Sequence, residues 1–452
     1  MKYIWISYDG IGYPVAYKLL QEGQTVLIGQ IQDNREMGNG DSPEKPEARR
    51  RRLSAYSGIF KKLPMPELIK EARKIKNKDE WFVVCDFNNL WRYADIFKKL
   101  GFKNGFFPSK EDFSMEDDRQ KAKEIVMKNY PGLTVAPVNE FKKAADGIKF
   151  LQESEDETMY VLKGNDDGAQ TVCPDTKIPI LARQELITQL EKAGKDYEKG
   201  GYILEEKIMD PMEMTPEAMW YNGELIAMSV DIENKPMGAG NIGKQCGCAQ
   251  DLVFKLDPQS KLAQAAFPPY VYAWAKKVKG LAIMDAGILL KDGKLYFTEF
   301  CSQRWGWDAF FTELAMCESV SAYFEALVAG KNPFVKRFGV ATRGFNMDIC
   351  SNDNMTVKNR KMSWLQDGDK DTWVYDMKLK DGSPLNCGTA WDLVVFTGGS
   401  DNIDTAINQA HRAAEGFSFS NMIYRPKEDY KSTSYKSSIK NRYDAGKKER
   451  LY

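Results

Sequence analysis

Histidine is nearly missing: the 452 residues contain one, His411. A zinc site built from several imidazoles is therefore excluded within a single chain. A serine–histidine–aspartate triad would rest entirely on His411, which lies in a helical pattern (AINQAHRAAEGF) with no supporting motif and reads as a helix residue at the solvent edge. Cysteine is sparse as well. The 8 thiols are scattered, with only Cys246 and Cys248 close together, which excludes a disulfide scaffold and suits a reducing cytoplasm. No apolar run approaches the ~18 residues of a membrane span, so no membrane partner is expected. The start, MKYIWISYDGIG, reads as a strand and turn rather than a secretory leader. An excess of one charge is also lacking: Lys plus Arg and Asp plus Glu both number 64, leaving no global field to attract nucleic acid. Whatever chemistry the chain performs must run on carboxylates, lysines, arginines and a divalent metal.

What is present is core-forming material, 43% hydrophobic and 12% aromatic residues, in a length that suits two to four lobes. Tyr3 to Ser7 alternates as a strand, Asp9-Gly10-Ile11-Gly12 makes a turn, Pro14 to Gln21 is helical, and Thr25 to Gly29 is a second strand. That order predicts a parallel α/β unit. Asp33 to Lys62 reads as a long polar loop with some helix, carrying Arg49 to Arg52; WFVVC and a helix over Ala94 to Leu100 continue the pattern. Further on come strands MYVLK and YILEE around the helix Arg183 to Ala193. An antiparallel pair turns at Asn222-Gly223, and a glycine-rich loop spans Gly238 to Cys248. Helices are predicted over Tyr270 to Lys279 and Leu314 to Leu327. Between them the hairpin AGILLKDGKLYFTEF turns at Asp292-Gly293, a dipeptide suited to a type I′ turn. A last lobe holds strands at Thr372 to Leu379 and Leu393 to Thr397 and a helix over Ile403 to Glu415; the basic, Ser-rich residues after Pro426 read as a mobile tail.

Three stretches carry chemistry. The hairpin ends in Thr298-Glu299-Phe300 with Arg304 close behind; a carboxylate at a strand end can hold Mg²⁺ while the arginine offsets phosphate charge, although a surface Glu–Arg pair has the same spelling. In YILEEKIMDPMEM, Glu206 and Glu213 lie seven apart across a proline turn, a spacing that serves an adenine amino group and ribose hydroxyls. Lys163 closes an apolar strand and either reaches over phosphates or snorkels. The loop MGAGNIGKQCGC offers free N–H groups to an anion. Asp9-Gly10-Ile11-Gly12 lacks the third glycine of a dinucleotide fingerprint.

Taken in order, these pieces resemble the glycinamide ribonucleotide synthetases (phosphoribosylamine–glycine ligases) of the ATP-grasp superfamily, over nearly the whole chain. GFFPSKEDFSMEDDRQKAKEIVM resembles the family's passage into its nucleotide domain, MYVLKGNDDG its ATP-lysine strand, YILEEKIMDPMEM its hinge, and AGILLKDGKLYFTEF with Arg304 its metal-binding hairpin. WVYDMKLKDGSPLNCGTAWDLVVFTGGSDNIDTAINQAHRAAEGFSFSNMIYR is similar to its closing domain. The resemblance implies an α/β ATP-grasp fold with an open parallel N-terminal lobe over residues 1–115 and a nucleotide-binding core over 116–336, its lid at about 130–198. A small α+β domain over 337–426 and the tail 427–452 follow. It implies a cytoplasmic enzyme of purine biosynthesis, monomeric or homodimeric, that uses ATP and Mg²⁺ (or Mn²⁺) to join glycine to phosphoribosylamine through an acyl phosphate. Arg119, Lys163, Glu205, Glu206, Ile208 and Glu213 would hold ATP; Glu299 and Ser302 the metal; Gly10, Gly12, Asn241, Gly243 and Arg304 the substrates; Arg304 and Lys163 would act on the moving phosphoryl group.

The departures fall mostly on the amine side. The lid loop shrinks to Gly164-Asn165-Asp166-Asp167-Gly168, Arg119 stands where the family has a lysine, and the metal-binding asparagine gives way to Cys301 or Ser302. Two motifs that contact the ribosyl phosphate become Gly10-Ile11-Gly12-Tyr13-Pro14 and Cys85-Asp86-Phe87-Asn88. A ligase for another amine, or a nucleotide-binding homologue with weak turnover, stands beside the default substrates; ADP release separates the last from the others. A nucleic-acid factor using Arg49 to Arg52 and the basic tail is a third class, separable by salt-dependent retention on DNA.

Overall fold

The computed structural model describes residues 1–32, 46–154, 157–165, 169, 171–174, 176–303, 307–350, 358–364, 370–388, 391–432 and 438–452. The first lobe runs β1 (Lys2–Ser7), α1 (Tyr13–Gln21), β2 (Thr25–Gln30), α2 (Pro46–Ser54), β3 (Lys62–Pro64), α3 (Met65–Lys74), β4 (Trp81–Cys85), α4 (Trp91–Lys99) and β5 (Asn104–Phe106). Its parallel strands lie in the order β3-β2-β1-β4-β5. β1 and β4 are apolar almost throughout because helices cover both faces of such a sheet. The chain winds outward from β1 to β3 and then returns to β4, so the crevice between the carboxyl ends of β1 and β4 is the topological switch point.

Helices α5 (Lys110–Asp117) and α6 (Arg119–Asn129) lead through β6 (Thr134–Val135) into a separate antiparallel sheet, which overlaps the expected lid at about 130–198 and runs on to Glu206. It contains β7 (Val138–Phe141), β8 (Tyr160–Gly164) and β9 (Tyr202–Glu206) in the order β7-β9-β8, with α7 (Ala144–Glu153) and α8 (Pro179–Gly200) on one face. Leu151, Leu162, Leu186, Leu190, Tyr197 and Leu204 form a core of the lid's own.

The large sheet continues from the first lobe, since Phe106 of β5 pairs with Leu281. It comprises β10 (Met212–Tyr221), β11 (Glu224–Gly238) and β12 (Ile242–Lys255). After α9 (Lys261–Ala266) and α10 (Pro269–Ala275) come β13 (Leu281–Lys291) and β14 (Lys294–Ser302). The β13–β14 turn has positive φ at both Asp292 and Gly293, as a type I′ turn requires. The expected glycine-rich loop is mostly strand: β11 and β12 pair out to Gly238 and Ile242. The expected helix over Leu314 to Leu327 is two, α11 (Trp307–Ala315) and α12 (Val320–Val328), because the Ser319 hydroxyl caps a new start by accepting from Ala322 N at 3.1 Å.

Strand β15 (Phe338–Asn346) joins the same sheet beside β12. Then follow α13 (Met347–Cys350), β16 (Thr372–Val374), β17 (Met377–Lys380), β18 (Ser383–Asn386), β19 (Asp392–Ser400), α14 (Ile403–Glu415), β20 (Met422–Ile423) and α15 (Ile439–Lys448). Two expectations fail here. His411 is buried between the rings of Tyr424 and Tyr430, because α14 turns that face to the sheet. Residues 438–452 are no mobile tail: Ile439, Tyr443 and Leu451 are buried in the core behind the large sheet, their apolar spacing hidden among lysines and serines.

Candidate functional site

Charged groups from four elements converge on the seam between the lid and the large sheet. The Asp118 side chain caps α6 by accepting from Lys121 N at 3.0 Å, and the helix period places Arg119 and Lys123 on one face. Arg119 Nη1 lies 2.6 Å from Glu299 Oε2, and its Nε donates to the Gly164 carbonyl at 3.2 Å. Lys123 Nζ and Lys163 Nζ sit 3.0 and 2.9 Å from the same Glu205 oxygen. Lys163 and Glu205 are diagonal partners on β8 and β9, on the face opposite Leu162 and Leu204 of the lid core. On the large sheet, Lys235 Nζ lies 2.6 Å from Glu213 and 3.6 Å from Glu233.

Burial pushes the Glu299 carboxyl up, but Arg119, Lys163 and Lys235 outweigh it and hold the group down at about 2. It is thus ionised throughout the working range while its side chain remains about half exposed, at 46%. Burial lowers Lys123, with Glu205 opposing. Lys235 is raised overall, since Glu213 and Glu233 overcome its burial. Among the described residues no three His, Cys, Asp or Glu side chains gather to hold a metal. A nucleotide-bridging Mg²⁺ needs only one or two carboxylates, the rest coming from phosphate and water. An ionised, half-exposed Glu299 fits that kind of site and not an all-protein cage.

The switch point between β1 and β4 is charge-rich but closed. Arg51 donates to Asp9 Oδ2 at 2.5 Å and to the Asp9 carbonyl at 3.1 Å, with Asp392 at 3.9 Å. Arg52 is fully buried and donates to the Ile31 and Tyr8 carbonyls at 2.7 and 2.5 Å. Asp86 accepts from Tyr8 N at 2.9 Å and Trp5 Nε1 at 3.4 Å; burial, with Asp9 nearby, raises it to about 7.

Several expected site residues are engaged elsewhere. Ser302 does not accompany Glu299: the period of two along β14 turns it to the other face, where it is buried and donates to Asp112 Oδ1 at 3.2 Å. Gly10 and Gly12 are packed rather than open; a Cβ on Gly12 would come within 2.6 Å of Trp5 and 2.8 Å of Asp86, and one on Gly10 within 3.3 Å of Arg52. Asn241 Oδ1 accepts from Arg425 at 2.8 Å, and Gly243 sits with positive φ just past the hairpin turn. Glu206 closes β9, with Ile208 half-buried two residues on. Arg304 and Asp166 to Gly168 lie outside the described residues. Sequence reasoning missed Lys123 and Lys235. The first was visible as the position one helical turn after Arg119; nothing in the sequence singled out the second.

No protein-family model matches the sequence, and no curated protein matches it. Solved structures do match by shape. Phosphoribosylamine–glycine ligase from Thermotoga maritima superposes with a TM-score of 0.64 at 15% identity, covering 94% of this chain and 99% of that one. The chain has the ATP-grasp fold. The same architecture relates it to the biotin carboxylase domain of Hydrogenobacter thermophilus 2-oxoglutarate carboxylase, solved with MgADP, ADP and bicarbonate (TM-score 0.58, 11% identity, 93% and 91% covered). An ADP complex of N5-carboxyaminoimidazole ribonucleotide synthetase is a third (0.52, 14%, 91% and 96%).

Proposed function

We propose that this chain is an ATP-dependent ligase that activates a carboxylate as an acyl phosphate and joins it to an amine, releasing ADP and phosphate. The observation that carries the reading is the seam, where Arg119 and Lys123 of α6 pair with Glu299 of β14 and Glu205 of β9, and Lys163 of β8 shares Glu205. Such pairs are ones a triphosphate can exchange. Bound ATP with its Mg²⁺ supplies the phosphoryl group and screens its charge. Lys163 and Arg119 meet phosphate oxygens, and Glu299 offers the divalent ion its carboxylate. Glu205, Glu206 and Ile208 border the adenine, and Glu213 the ribose. Arg304 keeps the part the family resemblance gives it, offsetting charge on the transferring group. Closure of the lid excludes water that would hydrolyse the acyl phosphate.

Glycine and phosphoribosylamine are the default substrates by resemblance, with a place in purine biosynthesis. The closed switch point favours a second reading, an amine without a phosphate. A phosphate monoester needs several N–H donors or cations converging on one point. Here Arg51 is already paired with Asp9, Arg52 is spent on carbonyls, and Pro14 removes a backbone N–H. ADP release from ATP and Mg²⁺ with a panel of carboxylates and amines, followed by mass spectrometry of products, tests both readings. Absence of ADP formation with every pair, in folded protein, would overturn the ligase reading. A kcat/KM of about 10⁴ M⁻¹s⁻¹ or more with glycine and phosphoribosylamine would overturn the second.

A further inference from the structure

The end of the chain closes over the back of the β11–β12 hairpin. Phe254 of β12 packs edge-on against Tyr443 at 4.9 Å between centroids and meets Tyr452 at 4.6 Å, while Leu262 N donates to the Leu451 carbonyl at 3.0 Å. This docking brings Arg442 of α15 to β11, where its Nη2 donates to Asn234 Oδ1 at 2.6 Å. The contact continues across the sheet: Asn234 donates to Gln250 Oε1 at 3.2 Å, and Gln250 donates to the Pro426 carbonyl at 3.1 Å. Arg442 Nε is buried and has no hydrogen-bond partner among the described residues, so that side of the guanidinium acts through its charge alone.

The position matters because β11 loses regular register between Asn234 and Pro236. A break of that kind re-aims side chains beside it, and the side chain re-aimed here is Lys235. Lys235 faces Glu213 and Glu233 on the site side of the sheet, while its neighbour Asn234 faces α15. Glu213, Glu233 and Asp231 also act electrostatically on Arg442 through the strand. Two cations therefore flank one acidic row, one in front of β11 and one behind it.

We propose that Arg442 is a positioning residue for Lys235, making the C-terminal helix a working part of the nucleotide site. By fixing Asn234 at the register break, and by sharing the charge of the acidic row, Arg442 keeps the Lys235 ammonium aimed at the seam beside Glu299. This rests on the nucleotide reading above, and the test separates the two. ADP affinity in the presence of Mg²⁺ is measured by calorimetry on the full chain, its Arg442→Met, Arg442→Lys and Lys235→Met variants, and the Arg442→Met/Lys235→Met double variant. Arg442→Met should weaken ADP binding by about tenfold, as loss of an outer supporting contact commonly does, and Arg442→Lys should recover most of it. The double variant should bind no worse than Lys235→Met alone, because a residue that acts through another adds nothing once that one is gone. Additive losses, or parent-like affinity in Arg442→Met, overturn the proposal. If Arg442→Met does not fold, Asn234→Ala takes its place, and parent-like affinity there overturns it equally. A parent protein that binds no ADP defeats the nucleotide reading itself, a result no Arg442 variant can produce.

Discussion

The seam and the switch point hold the same kinds of groups in opposite states. At the seam, Arg119 of α6 pairs with a half-exposed Glu299 of the large sheet while donating to the Gly164 carbonyl of β8, and Lys163 pairs with Glu205 inside a lid that has its own core. At the switch point, Arg51, Arg52 and Asp86 are buried against Asp9, carbonyls and an indole at the end of a single sheet. A half-exposed ion pair at a seam can give up its charge to a ligand at little cost. One sealed within a sheet end holds that end together, and removing either partner strands the other in low dielectric. Counting charges would have ranked the two places equally.

Breaking the sealed pair should have the largest effect. Arg51→Met leaves Asp9 without its guanidinium, although Arg343 remains 3.7 Å from Asp392, and a loss of about 3–5 kcal/mol of stability is expected, read by chemical denaturation; ADP affinity of the folded fraction should be unchanged. A change in affinity with stability intact would invert the comparison. At the seam the pattern reverses. Lys163→Met should weaken ATP binding or turnover by at least about tenfold with little change in thermal midpoint, since Lys123 remains to pair with Glu205. Unchanged affinity in a folded variant would show that the lysine serves structure alone.

Glu299→Gln keeps the shape and removes the charge. Mg²⁺-dependent nucleotide binding should fall sharply, and superimposable Mg²⁺ titrations of the two proteins would remove Glu299 from the metal site. Because the carboxyl is held down at about 2, its stabilising contribution is complete above the ordinary carboxylate range and disappears as pH falls through about 2. Acid unfolding below about pH 4 should therefore be less steep in Glu299→Gln.

The effect confined to acid, and absent at neutral pH, belongs to His411, outside both regions. Burial, offset in part by Glu428, lowers it to about 4. The unfolded chain then binds a proton that the folded one refuses, so stability is full above about pH 6.5 and declines toward pH 4, by up to about 1.4 kcal/mol per pH unit. His411→Phe should remove that slope; an unaltered pH–stability curve would show that the imidazole protonates normally in the folded protein.

Legibility in the sequence followed local chemistry. The Asp292–Gly293 turn, the β1–turn–α1–β2 order and the helix over Ile403–Glu415 were all written in short-range pattern. Strands β3, β5 and β6 have two or three residues each and no pattern to read. Their existence depends on neighbours far along the chain. The same holds at the sites. Glu299 and Lys163 announce themselves at strand ends, whereas Lys235 depends on a register break and Arg442 on the docking of a helix that basic composition disguises. Ser302 was misread because proximity to Glu299 in sequence ignores which face of a strand a residue takes.

The lid's separate core has a thermodynamic consequence. Its leucines and tyrosines pack on one another in a cluster separate from the large sheet, so closure over a nucleotide, as the proposed function has it, would mainly exchange ionic partners and transfer little of the lid's apolar surface out of water. Nucleotide binding should accordingly carry only a modest negative heat-capacity change, its enthalpy nearly constant with temperature.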